Sequence, residues 1–215
     1  MKSDEEFERW LLRLYKILVL FVLLLVFLGV FLISRDAGAE MKVGLDWTYG
    51  RDFVVPEAWT CENSEATVNR LSLRIEDDWL LPERWDWQLE LHYSAHKFDE
   101  IGGGQDASMK ELGINLALKR ELFDDLFYVG FFAGLSVPLD LPEFEDRDWS
   151  DGEMHARVGN SGLLGSWGPL VGKDWQLQGK WSLRTELRFA HTSDPFRHDG
   201  GKNYGQMVVG LTYSF

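Results

Sequence analysis

Cysteine is nearly absent from this chain of 215 residues, with Cys61 the single example. One thiol cannot form an intramolecular disulfide, and it excludes a multi-cysteine zinc or iron–sulfur site, because such sites need two or more thiolates. Basic residues are also few: 22 Lys and Arg stand against 35 Asp and Glu, which gives a net charge of −13. Proteins that hold nucleic acid through a basic face need the opposite balance. We therefore expect no nucleic-acid partner.

Long apolar runs are scarce too, and the clearest one lies at Ile17 to Ile33, directly after a stretch with basic residues. This arrangement is typical of a signal peptide or a short membrane anchor. Ala37-Gly38-Ala39 offers the small residues that a signal peptidase needs. We expect residues 1–39 to be a signal peptide or signal anchor that exports a barrel domain at residues 40–215. Cleavage and retention both stay open.

After residue 40, apolar residues recur at every second position, a pattern that predicts β-strands and not helices. From Trp85 to Tyr93, for example, each aromatic or aliphatic residue is followed by a polar one, and Met207 to Phe215 repeats the apolar spacing. We predict eight strands, at residues 41–50, 67–80, 85–97, 110–121, 127–137, 161–176, 181–191 and 203–215.

The connections between these strands alternate in length. Those around Pro82, Phe123 to Asp125 and Leu177 to Gly179 are tight. The long ones lie at 51–66, 98–109, 138–160 and 192–202. Short periplasmic turns and longer outer loops are typical of outer-membrane barrels, and strands of about ten residues suit a tilted membrane crossing. The sequence predicts an all-β protein of the bacterial outer membrane: an eight-stranded antiparallel up-and-down transmembrane barrel, preceded by a signal or anchor helix.

The two faces of the predicted strands differ in chemistry. Aromatic residues fall near strand ends on the apolar face, as in the interfacial girdles of membrane barrels; they are Trp47, Tyr49, Trp79, Trp85, Trp87, Trp181 and Tyr213. The polar face carries both charge signs, as in a narrow interior filled by paired side chains; it includes Arg70, Arg74, Glu76, Glu90, Arg184, Glu186 and Arg188. A soluble lipid-binding barrel tethered by an uncleaved anchor is the alternative.

His191 and Ser193 stand two residues apart at the end of the seventh strand. They share the parity of Leu187 and Phe189, so we expect both to face the lipid. An imidazole near a hydroxyl can take the serine proton, which is the first requirement of a nucleophile–base pair. A histidine without a catalytic role at the membrane interface is the plain alternative. The position at the outer rim of a lipid-facing stripe is what singles the pair out.

The segment GSWGPLVGKDWQLQGKWSLRTELRFAHTSDP, from Gly165 to Pro195, resembles the PagL-type lipid A deacylases (acyloxyacyl hydrolases) of Gram-negative outer membranes. The resemblance covers the last three strands well and Tyr128 to Leu135 faintly. It implies a carboxylic ester hydrolase that removes a 3-hydroxyacyl chain from lipid A, with lipopolysaccharide of the outer leaflet as partner and no cofactor. His191 would be the general base and Ser193 the nucleophile.

The third member of the family's catalytic group is a carboxylate at the start of the last strand. An ungapped count puts Gly205 there, and the nearest polar residue of lipid-facing parity is Asn203. Asn can orient an imidazole but stabilises the imidazolium less than a carboxylate does. Asn203, Asp194 and Asp199 are the candidates. The missing carboxylate also keeps open a non-catalytic barrel with a structural or surface-interaction role. The acyl position, the chain preference and the oligomeric state, with a homodimer among the options, stay open.

Other clusters of polar residues suggest structure and not chemistry. His92 and His96 lie four residues apart on one strand face, about 13 Å along the strand, so we expect no shared metal. The acidic segment 143–153 in the third long loop could hold a divalent cation, but a solvated loop is the preferred interpretation. We expect neither a metal nor a cofactor.

Overall fold

The computed structural model describes part of the chain: Leu25, Gly29 and residues 41–52, 65–77, 85–101, 105–123, 126–140, 163–193 and 202–215. The predicted export segment, apart from Leu25 and Gly29, lies outside the described residues, as does the acidic segment 143–153. In the part of the chain that the structure describes, no helix is long and apolar enough to cross a membrane.

Eight antiparallel strands form one closed barrel, as the period-two pattern predicts. They are β1 Lys42–Asp52, β2 Glu65–Asp77, β3 Trp85–Ile101, β4 Gln105–Leu122, β5 Phe127–Asp140, β6 Leu164–Gln176, β7 Trp181–Ser193 and β8 Lys202–Ser214. Each strand pairs with its neighbours in sequence, and β1 pairs with β8 to close the ring. The turns at 123–126 and 177–180 share one end, which we call the periplasmic end. His191 and Ser193 lie at the opposite, outer end.

The prediction of a long loop at 98–109 is wrong. β3 continues to Ile101 and β4 begins at Gln105, so only residues 102–104 connect them. The sequence of these strand ends does not alternate between apolar and polar residues, although the hydrogen-bonded ladder continues. The same effect extends β7 to Ser193. Alternation reports contact with lipid or core, and it stops where a strand projects beyond them.

The barrel is polar inside and apolar outside. Exposed apolar side chains cover the outer wall, among them Leu45, Leu71, Leu73, Leu116, Phe131, Leu187, Phe189, Met207 and Leu211. A water-soluble barrel buries its apolar face, so this arrangement requires a hydrocarbon environment. Trp47, Trp85 and Trp181 are exposed on this wall, as predicted for interfacial side chains.

Trp87 differs from that expectation. It shares the outward parity of Trp85, yet it is only 6% exposed and packs with Met41, Ile75 and Leu89. The expectation that its side chain lies at the lipid interface is wrong. Strand parity shows whether a side chain faces into or out of the barrel. It cannot show whether an outward-facing side chain is buried by its neighbours or exposed. Trp79 lies outside the described residues.

Paired charges occupy the periplasmic half of the interior, and Glu76 is their centre. Its Oε2 atom lies 2.8 Å from Arg74 Nη1, 2.7 Å from Lys119 Nζ and 2.8 Å from Arg184 Nη2. Arg74 is held on its other side by Asp46, at 2.7 Å, and Arg184 by Asp174. All except Asp174 are buried. The predicted interior of paired, oppositely charged side chains is confirmed.

Two glycines make room for the Arg74–Asp46 pair on adjacent strands. A Cβ at Gly44 would lie 2.3 Å from Arg74 Nη2, and one at Gly210 would lie 1.8 Å from Asp46 Oδ1. Neither is a tolerable contact. Gly44 on β1 and Gly210 on β8 are thus needed for Arg74 and Asp46 to pair inside the barrel.

Toward the outer end the filling becomes more apolar. Arg188 bonds Glu90 at 2.8 Å, and Arg70 Nε donates to Ser94 at 2.9 Å. Around and beyond them lie buried apolar side chains that include Ala66, Val68, Met109, Phe132, Leu164, Leu170, Ala190 and Tyr204. The His96–Glu111 pair, at 3.1 Å, lies among them. The described interior is therefore occupied along its length, by ion pairs at the periplasmic end and by mixed charged and apolar packing at the outer end.

An occupied interior predicts the electrical behaviour of the barrel. Reconstituted into a planar bilayer, the protein is expected to show no steady ion conductance, because an ion would have to displace the buried ion pairs and apolar side chains that fill the interior. Single-channel recording checks this. Stable, reproducible current steps that persist across preparations would contradict it.

Candidate active site

The outer end of β7 carries the two residues that the sequence singles out. His191 and Ser193 face outward, since the alternate residues Arg188 and Ala190 are buried in the interior. Both are partly exposed. On one face of a strand, side chains two residues apart are separated by about 6.7 Å at Cα, within reach of an imidazole and a hydroxyl. The predicted outward orientation of both side chains, on the wall that carries Leu187 and Phe189, is confirmed.

Asn203 of β8 lies directly across the ladder from His191. The two side chains meet with His191 Nδ1 at 3.0 Å from Asn203 Oδ1. An amide oxygen only accepts hydrogen bonds, so the proton of a neutral imidazole belongs on Nδ1 in this pairing. Nε2 then carries the lone pair. Among the candidates for the third residue, the described part of the chain brings Asn203 into contact with His191.

Gly205, where an ungapped count puts the family's carboxylate, pairs with Phe189 and not with His191. Gly205 lies two residues closer to the periplasmic end than Asn203, on the same face of β8. The ungapped count therefore does not point to the residue opposite the imidazole. Asp194 and Asp199 lie outside the described residues.

Trp167 is a neighbour of His191 that the sequence reasoning missed. It lies across the β6–β7 ladder from His191, and the two rings have centroids 5.3 Å apart at an angle of 49°. Phe131 of β5 stacks on the far side of the indole, with centroids 6.1 Å apart. His191 thus has an aromatic ring on the β6 side and an amide on the β8 side. These two neighbours restrict the orientations of the imidazole.

The signal for Trp167 was present in the sequence. A tight turn around Gly179 fixes the register of β6 against β7, and counting outward from that turn pairs residue 167 with residue 191. The obstacle lay in β6, where Pro169 is unusual inside a strand and Lys173 interrupts the apolar parity. In the structure the ladder passes from Trp167–His191 to Leu170–Arg188 without a shift in register. Proline lacks the amide hydrogen, so it interrupts the hydrogen bonds and leaves the alignment intact.

The two histidines inside the barrel are organised differently from the sequence expectation. His92 Nε2 and His96 Nε2 lie 3.9 Å and 3.1 Å from the same oxygen of Glu111, so their rings converge although their Cα atoms are far apart. The spacing of about 13 Å along the strand therefore does not describe their ring nitrogens. In the described residues, no group of three His, Cys, Asp or Glu side chains is arranged to hold a metal ion.

Comparisons with known proteins give similarities among solved structures alone. No protein-family model matches the chain, and no curated protein matches it. Among solved structures it is similar to outer membrane protein AlkL, at 12% identity over 82% of this chain and 90% of that one, with a TM-score of 0.46. It is similar to Neisserial surface protein A, at 11% identity over 81% and 97%, with a TM-score of 0.45. It is also similar to OprG from Pseudomonas aeruginosa, at 16% identity over 82% and 96%, with a TM-score of 0.45.

Similarity at this level concerns the architecture alone. The fold itself rests on the strand pairing and the apolar outer wall. The protein is a closed, eight-stranded antiparallel barrel with an apolar outer wall that suits a membrane.

Proposed function

We propose that the protein is an outer-membrane esterase that releases an ester-linked 3-hydroxyacyl chain from lipid A, with Ser193 as nucleophile and His191 as general base. The observation that carries the proposal is the contact of His191 with Asn203 on the lipid-facing wall, next to Ser193. A histidine that faces lipid does not add to the free energy of unfolding of a barrel. One that is oriented by two neighbouring strands beside a hydroxyl has the arrangement that acyl transfer needs.

The proposed reaction follows from these groups. His191 Nε2 accepts the proton of the Ser193 hydroxyl as its oxygen attacks the ester carbonyl. The resulting imidazolium returns that proton to the departing sugar oxygen, which leaves the acyl chain on Ser193. Water, deprotonated by the same imidazole, then hydrolyses the acyl-enzyme and releases the fatty acid. No cofactor enters this sequence.

The depth of the site fits an ester in a membrane. His191 and Ser193 lie at the outer end of a wall whose next outward residues, Leu187 and Phe189, are exposed and apolar. A lipid with its chains along this wall presents the bonds that join chains to headgroup near the end of the apolar band. A soluble ester has no such alignment.

The test is acyl release by the purified, folded barrel. Lipopolysaccharide in detergent is incubated with the protein, and free hydroxy fatty acid is measured by mass spectrometry. Release of ester-linked chains, with amide-linked chains retained, is expected from the unchanged protein and not from Ser193→Ala. A folded wild-type barrel that releases nothing, or a variant that releases as much, would sink the proposal.

A non-catalytic barrel with a structural or surface-interaction role is the second candidate. The observation in its favour is that His191 is bonded to an amide and not to a carboxylate. It predicts no acyl release under any lipid or detergent condition. The resemblance to PagL-type deacylases favours the enzyme, and measurement of acyl release separates the two.

Most active-site substitutions lower the rate of a reaction, but one substitution at Asn203 is expected to raise it. Asn203→Asp is expected to raise the rate of acyl release at neutral pH by about tenfold or more, because a carboxylate stabilises the imidazolium that forms during the reaction and an amide does not. Asn203→Leu is expected to lower the rate. The initial rate of fatty-acid release, measured on equal amounts of folded protein, checks both. A slower Asn203→Asp enzyme would indicate that another residue orients His191.

A further inference from the structure

The outer wall beside His191 and Ser193 differs on the two sides of β7. On the β6 side, Trp167 lies against the imidazole, with ring centroids 5.3 Å apart, and Phe131 of β5 stacks on the indole at 6.1 Å. Both aromatic side chains are exposed on the wall. Pro169, the next outward residue of β6, lies opposite Phe131 and is exposed as well. We call Trp167, Phe131 and Pro169 the β6 ridge.

The β8 side of β7 carries less bulk. Asn203 meets His191 there, and the next outward residue toward the periplasmic end is Gly205, which has no side chain. Gly205 lies opposite Phe189 and is partly exposed. The continuous register of β6 and β7 puts Pro169 on the other side of Phe189. Phe189 is therefore flanked by a proline ring on one side and by backbone without a side chain on the other.

The strip of wall over Gly205 is wide enough for an alkyl chain. In the row that crosses it, the neighbouring side chains belong to Phe189 on β7 and Arg51 on β1. These two strands lie about 10 Å apart, which is twice the spacing of adjacent strands. Carbon atoms in contact are about 4 Å apart, so one unbranched chain can lie on the backbone of Gly205. On the β6 side, the ridge occupies the corresponding space.

An ester that reacts at Ser193 needs such a passage for its acyl chain. The chain extends from the hydroxyl toward the hydrocarbon, in the direction of the exposed apolar residues Phe189 and Leu187. Phe189 follows His191 on the outward face of β7, and its side chain is 53% exposed. The chain therefore has to pass Phe189 on one side or the other.

We propose that the ester-linked acyl chain passes Phe189 on the β8 side, over Gly205, and that the β6 ridge closes the other side. This inference rests on the proposed function for the ester and for its reaction at Ser193. It adds two specificity-determining residues, Gly205 and Trp167. Because the chain leaves the site in one direction, the ester carbonyl meets the Ser193 hydroxyl in one orientation.

The experiment locates the chain in a barrel that cannot hydrolyse its ligand. Val171 of β6 and Met207 of β8 lie opposite Leu187 on either side of β7, and both are exposed. Ser193→Ala protein in detergent receives less than one equivalent of a lipid A analogue that carries a photoreactive diazirine in its ester-linked chain. After irradiation, mass spectrometry identifies the labelled residues. Labelling at Met207 is expected to exceed labelling at Val171 at least about fivefold, because a packed aromatic pair resists displacement.

Substitutions on the two sides of β7, made in the same background, are expected to change this ratio in opposite ways. Gly205→Leu fills the strip and is expected to lower labelling at Met207 at least about fivefold. Gly205→Ala is the milder variant, expected to act in the same direction, if heat-modifiable mobility on a gel shows that Gly205→Leu does not fold. Trp167→Ala opens the β6 side and is expected to raise labelling at Val171. Ala133→Leu is the matched control, since Ala133 is exposed and lies opposite Trp167 on β5, away from β7. It is expected to leave the ratio unchanged.

Three outcomes would overturn the inference. Equal labelling of Val171 and Met207 would mean that the chain has no preferred side, and an unchanged ratio in folded Gly205 variants would mean that the strip is not its path. Labelling of neither residue would place the chain elsewhere. The expected ratio in a barrel whose wild-type form releases no fatty acid would refute the proposed hydrolysis alone. Acyl release together with equal labelling would refute the path alone, so the two proposals fail separately.

Discussion

Folded Ser193→Ala barrel is expected to release hydroxy fatty acid from lipid A at least about a thousandfold more slowly than the unchanged protein. Without the hydroxyl no acyl-enzyme can form. Direct attack by water on the ester would have to replace it, without a nucleophile that is positioned beside the imidazole. His191→Ala is expected to cause a loss of similar size, because an unassisted serine hydroxyl is a poor nucleophile at neutral pH. Initial rates of release under identical detergent conditions give both numbers.

The two substitutions are also expected to be non-additive. Once either partner is missing, removal of the other costs little, as for residues that act as one unit. Ser193→Ala with His191→Ala should therefore be about as slow as either single variant. Thr185→Ala is the matched control, since Thr185 is a hydroxyl residue on the same face of the same strand but near the periplasmic end. It is expected to leave the rate unchanged. A double variant whose losses multiply would mean that Ser193 and His191 act independently.

Most of the fold could be predicted from the sequence because one physical rule acts on every strand. Lipid outside and a narrow polar interior impose opposite chemistry on alternate residues, so parity alone gives the strand number and the facing of residues such as His191. The rule predicts nothing where a strand borders neither lipid nor the filled interior. The outer ends of β3 and β4 extend past the apolar band, and there the sequence suggested a loop from 98 to 109 although the ladder continues.

The site was predictable only in part, because contact across a ladder depends on register and not on parity. Parity selected Asn203 as a candidate but could not show that it lies opposite His191, while Gly205 lies opposite Phe189. Trp167 required the register of β6, which Pro169 obscured. Likewise, parity put Glu76 inside the barrel, but it could not show that Arg74, Lys119 and Arg184 all contact one of its carboxylate oxygens.

That meeting of charges makes Glu76→Gln the substitution with the largest expected effect on stability. The free energy of unfolding is expected to fall by about 3–5 kcal/mol, the usual cost when one partner of a buried ion pair is removed. Arg74 keeps Asp46 and Arg184 keeps Asp174. For Lys119, the structure describes no carboxylate other than Glu76 within ion-pair distance. Its ammonium would stay buried beside two guanidinium groups.

Urea unfolding of the barrel in lipid vesicles, followed by tryptophan fluorescence, measures the effect. Glu121→Gln, at a partly exposed position near the periplasmic turn, is the control and is expected to change stability by less than about 1 kcal/mol. A second substitution isolates the cause. Lys119→Met in the Glu76→Gln background removes the cation that lost its partner at nearly constant volume, so the double variant is expected to be more stable than Glu76→Gln alone. If Lys119→Met instead destabilises that background further, repulsion among the three cations is not what Glu76 prevents, and its role is packing.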